Sequence, residues 1–124
     1  MLRRSGFHVP VSMSRARFDE LVSEALDTIP PALTRAMDNV VVLVEDVDPE
    51  DPDLLGVYDG VALTERAHDY GGVLPDRIIV FREPLLDMCR SEDEVVHEVA
   101  VTVVHEIAHH FGIDDEALHD LGWG

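Results

Sequence analysis

His105-Glu106-Ile107-Ala108-His109-His110-Phe111-Gly112-Ile113-Asp114-Asp115 is the stretch that decides how this chain of 124 residues is read. On a helix, His105 and His109 leave the same face one turn apart. Two neutral imidazoles so placed can close on one zinc ion, at about 2.0–2.1 Å each. Glu106 then sits beside the metal, where its carboxylate can take a proton from water. Gly112 can adopt a left-handed conformation, stop the helix and turn the chain back. That turn can deliver Asp115 as a third ligand and leave a fourth position open, as in a catalytic zinc site. Asp114 or His119 could complete the site instead, with Asp115 capping a last helix. A bare H-E-x-x-H is weak in so His- and acid-rich a chain. With Gly112 and Asp115 added, the chance expectation falls to about three in ten thousand sequences.

The surroundings fit a helix. Val95, Val96, Val99, Ala100, Val103, Val104, Ile107, Ala108 and Phe111 recur at threes and fours and give one apolar stripe. Ser91 followed by Glu92, Asp93 and Glu94 is an N-terminal signature with a capping box from Ser91 to Glu94. The expected element is one long, mostly buried helix over 92–111. Its Val content is costly in an isolated helix, and packing on a sheet would offset that.

With these residues in place, the chain resembles the zincin metallopeptidases, and in particular small single-domain bacterial zincins with H-E-x-x-H-H-F-G-x-x-D. The match falls on His105, Glu106, His109, His110, Phe111, Gly112 and Asp115. The resemblance implies a minimal zincin-like α+β fold, one zinc per chain and peptide-bond hydrolysis. In such proteins an edge strand beside the metal binds extended substrate, and 77–82 is the expected edge strand by that analogy. Zincins often add a Tyr or His to stabilise the oxyanion, a role open here to Tyr70 or His119. His110 leaves the helix away from the ligand face and is read as packing or as support behind a ligand. Larger zincins carry His where this chain has Asp115, and follow it with a methionine turn. Here no Met follows Met88, so the substrate wall is reduced and short or unfolded peptides are the expected substrates.

Composition narrows the alternatives. The formal charge is −17, with nine Arg and Lys together and 26 acids. Such a surface does not suit nucleic acid or an anionic membrane. A family of bacterial rRNA-processing endoribonucleases also spaces two His by four before a Gly. It lacks the Glu after the first His, and it ends the motif with His. The remaining alternative to a peptidase is a metal-binding or partner-binding module with little or no turnover. Cys89 is the single cysteine, so no intrachain disulfide forms, and it reads as a core thiol. No apolar h-region follows Arg3-Arg4, and no run reaches the ~18 apolar residues of a membrane span, so a cytoplasmic location is expected.

The rest of the chain supplies a scaffold. Residues 1–12 lack periodicity and read as a flexible tail before one domain, 13–124. Residues 14–29 read as an amphipathic helix capped by Ser14, and Pro30-Pro31 end it. A short helix follows over 31–37. Val40–Val44 reads as a buried strand. The Pro-broken acidic run 45–53 reads as a solvated loop rather than a calcium site, since it lacks the EF-hand spacing and Gly. Residues 54–63 read as strand, turn, strand, 77–81 as a strand, and 85–90 as a short helix. The expected architecture is N-terminal helices, a mixed sheet of three or four strands, and the long helix packed on it.

Overall fold

Ser14 starts the first helix. Its hydroxyl accepts the Arg17 N–H at 3.2 Å, and α1 runs over Arg15–Asp27. The computed structural model describes residues 11–60, 75–120 and 122–123, the side chains of Ala36 and Asp115 excepted. Helix α1 ends two residues short of the expected Ile29, because the residue before Pro30 is pushed out of helical geometry. Phe18, Leu21, Val22 and Ala25 form its buried face. Pro31 then opens α2 (Pro31–Thr34), which tightens into a 3₁₀ turn over Arg35–Met37. Val11, within the segment read as a tail, donates its N–H to the Cys89 carbonyl at 3.2 Å.

Three strands form the sheet: β1 (Val40–Glu45), β2 (Gly56–Asp59) and β3 (Asp76–Phe81), in the order β1-β3-β2. β1 runs parallel to β3, with Val40 opposite Asp76 and Glu45 opposite Phe81. β2 runs antiparallel to β3, with Gly56 opposite Val80 and Asp59 opposite Arg77. The mixed sheet and the α+β class are as expected. The place of β3 is not. Of the segment 77–82, expected at an edge, residues 77–81 lie in the central strand, hydrogen-bonded on both sides, and Arg82 opens the helix that follows. Backbone pairing to β1 on one side and to β2 on the other makes β3 central, and Ile78, Val80 and Phe81 are buried. Conversely, β1 is no buried strand. Its exposure alternates, and Val41 and Leu43 are 39% and 42% exposed, because one face of this flanking strand is left uncovered among the described residues.

The strand expected before Asp59-Gly60 is β2. Its expected partner beyond the turn, and Tyr70, lie outside the described residues. Helix α3 (Arg82–Met88) starts three residues before the expected Leu85. Pro84 falls in its first turn, where a backbone N–H would have no intrahelical partner anyway. Arg82 helps fix that start, donating through Nε to Asp46 at 3.0 Å.

The long helix α4 spans Glu92–Phe111 as expected. Ser91 Oγ accepts the Glu94 N–H at 3.2 Å. Glu94 reaches back to the Arg90 N–H at 3.0 Å rather than to Ser91, so the capping box is displaced by one residue. Arg17 binds both carboxylate oxygens of Glu92, at 2.7 and 3.0 Å, and ties α1 to the start of α4. Gly112 ends the helix at φ 71°, the left-handed geometry expected of it. The apolar stripe is buried from Val95 to Ala108, save for a partly exposed Val96, and packs with α1, β3 and Leu118 of the last helix, α5 (Asp115–Asp120). Phe111 departs from it and is 49% exposed. Cys89 is fully buried in this core, and burial, reinforced by Glu98 and Glu94, pushes its thiol up to about 12. No helix among the described residues is long and apolar enough to cross a membrane.

Candidate metal centre

The 3.6-residue period of α4 sets His105 and His109 on one face, with ring centroids 6.1 Å apart and planes at 88°. Two imidazoles sharing a tetrahedral zinc would have centroids about 5 Å apart, given bonds of about 2 Å. A small rotation of either side chain closes the difference. His105 is half-buried and His109 exposed, so one imidazole is held by packing and the other is open to solvent. The pair fits a zinc ion.

Glu106 turns toward β2. It is half-buried, and burial raises its pKa above the ordinary carboxylate range. His109, the backbone N–H of Tyr58 and then His105 act in the opposite sense. The Tyr58 N–H donates to the Glu106 carboxylate, so this bond spans from the sheet to the helix. Phe81 donates to the Leu55 carbonyl, and the antiparallel alternation then turns Tyr58 N–H away from β3 and toward α4.

Gly56 makes that approach feasible. A Cβ there would lie 2.6 Å from Thr102 Cγ2 and 3.2 Å from the Ile79 carbonyl oxygen, and 4.0 Å from Glu106 Cγ. The strand therefore touches the helix at the one position without a side chain. A groove of about 450 Å³ opens beside this contact, bounded by residues 51–56 on one side and by the α4 face from Glu98 to Glu106 on the other.

His110 stacks on Tyr58, with centroids 3.8 Å apart and planes at 10°. Phe111 meets both rings edge-on, and the Tyr58 hydroxyl donates to Asp76 Oδ2 at 2.6 Å. His110 thus packs the end of α4 against the sheet. Beyond Gly112, Asp114 Oδ1 accepts the Ala117 N–H at 2.8 Å. Asp114 therefore caps α5, and Asp115 is the first residue of that helix. The Asp115 side chain lies outside what the structure describes. His119 is exposed on the last turn of α5. Among the described residues no three metal-ligating side chains are gathered. Tyr58 and Gly56 went unnoticed in the sequence. An isolated Gly inside a strand pattern signals close backbone approach, and this was the available clue.

A chain with an H-E-x-x-H helix on a small mixed sheet falls in the class of zincin-like proteins. The chain belongs to the zincin-like metallopeptidase family, whose pattern it matches over residues 37–123. Among solved structures, it is similar to a conserved hypothetical protein from Thermo thermophilus. That similarity is at 25% identity and a TM-score of 0.53, covering 80% of this chain and 94% of the other. No curated protein matches the chain significantly.

Proposed function

We propose that this chain is a zinc-dependent peptidase in which His105, His109 and Asp115 hold the metal and Glu106 is the general base. The observation that carries this reading is the half-buried Glu106 between two imidazoles one turn apart, at the mouth of a groove beside a strand. Zinc bound there supplies Lewis acidity that makes water nucleophilic near neutral pH. Glu106 takes the proton of the attacking water and passes it to the amine as the C–N bond breaks. With Asp114 engaged as the α5 cap, Asp115 is the carboxylate we assign as third ligand.

The central place of β3 rules it out as a docking edge. Of the described strands, β2 borders the groove, and a peptide substrate would lie there.

The test pairs zinc analysis with cleavage of a mixed peptide library, with and without chelator. Glu106→Gln should retain one zinc per chain and lose turnover by about 10²–10⁴-fold. His105→Ala should lose stoichiometric zinc, and Asp115→Ala should bind it more weakly than His119→Ala. Unchanged turnover in Glu106→Gln would remove the base assignment. Stoichiometric zinc without any cleavage would leave a metal-binding module.

A further inference from the structure

The groove at Glu106 is not chemically uniform. Leu54, Leu55 and Val101 give it apolar walls, while Asp51, Asp53 and Glu98 add three carboxylates. Apart from His105, none of the described residues lining it is basic. Arg17 pairs with Glu20 and Glu92, Arg77 with Asp59 and Arg82 with Asp46, all outside this groove. Apolar walls beside carboxylates match a long aliphatic stem that ends in a cation.

The scale also fits. Glu98 stands two helical turns before Glu106 on one face of α4, about 12 Å along the axis. One extended residue of about 3.5 Å plus a long side chain spans that length.

We infer that the groove receives a cationic side chain, arginine or lysine, of the peptide whose bond lies at Glu106. This deepens the peptidase reading and rests on it. Asp51, Asp53 and Glu98 are then specificity-determining residues. The aliphatic stem packs along Leu54, Leu55 and Val101, and the charged head meets the carboxylates. An acidic side chain is repelled from the same place.

The experiment uses the zinc-loaded full chain carrying Glu106→Gln, so that probes bind without being cut. The probes are blocked, fluorescein-labelled alanine peptides identical except for one central residue, Arg, norleucine or Glu, read by anisotropy. The Arg peptide should bind about five- to tenfold more tightly than norleucine, the gain of two or three exposed ion pairs. The Glu peptide should bind more weakly than both. Adding Asp51→Asn, Asp53→Asn and Glu98→Gln should bring Arg and norleucine within about twofold of each other. Removing three exposed acids of α1 instead, by Asp19→Asn, Glu24→Gln and Asp27→Asn, should leave the preference intact.

Equal binding of Arg and norleucine overturns the inference, and so does loss of the preference in both triple variants, which would assign it to overall charge. Cleavage of the mixed library by the parent chain separates the two readings. Chelator-sensitive cleavage with no enrichment of basic residues overturns the groove assignment and leaves the peptidase. A groove-dependent Arg preference with no cleavage overturns the peptidase and leaves the groove as a cation-binding surface.

Discussion

Glu106 holds a proton more tightly in the folded chain than outside it, because burial outweighs the nearby imidazoles and the Tyr58 N–H. The sign of the linkage follows. The contribution of this group to stability is full below the ordinary carboxylate pKa and is lost as pH rises through its raised folded value. Metal-free Glu106→Gln should therefore be more stable than metal-free parent at neutral pH. The gap should close below about pH 4, where both side chains are neutral. Urea denaturation at the two pH values checks this, and a less stable variant at neutral pH would contradict it. Gly56 allows a second test. Gly56→Ala should cost about 1–3 kcal/mol, since Thr102 Cγ2 stands 2.6 Å from the added methyl. Thr102→Ser removes that Cγ2, and the double variant should recover part of the loss in the same denaturation measurement. The H-E-x-x-H spacing was legible in the sequence because helical period alone places His105, Glu106 and His109. Gly56 and Tyr58 were not, because their partners lie some fifty residues away, and no local pattern records such a contact.

At the scale of elements, α4 was the most legible part, since cap, stripe and stop all agree over Ser91–Gly112. Ser91→Ala should lower stability by about 1 kcal/mol in chemical denaturation, the usual worth of such a cap. An unchanged midpoint would mean that Glu94 and the Arg17–Glu92 pair fix the helix start unaided. The strands were harder. Val40–Val44 and Ile78–Phe81 are both unbroken apolar runs, and such runs do not say which strand lies between two others. Sheet order is set by pairing across the fold. In α3, Pro84 hides the helix start from the sequence, because proline breaks helix interiors, yet the first turn accommodates it.

Across the whole molecule, 26 acids face nine basic residues, and the formal charge of −17 opposes compaction. Raising NaCl from low concentration to roughly 0.5 M should raise the melting temperature, because screening weakens this self-repulsion. A fall in scanning fluorimetry would show instead that exposed pairs such as Arg17–Glu92 matter more to the fold than the net charge does. The α+β class was legible from the alternation of periodicities along the chain. The groove was not, since its two walls come from residues 51–56 and from α4.

The order of the strands along the chain also has a kinetic consequence. Val40 pairs with Asp76, so the parallel half of the sheet cannot close until residues 76–81 have been synthesised. The long Val-rich helix comes after them. As the chain leaves the ribosome, the apolar stripe of that helix therefore emerges when the strands it packs on have already been made, which shortens the time that stripe is exposed to aggregation.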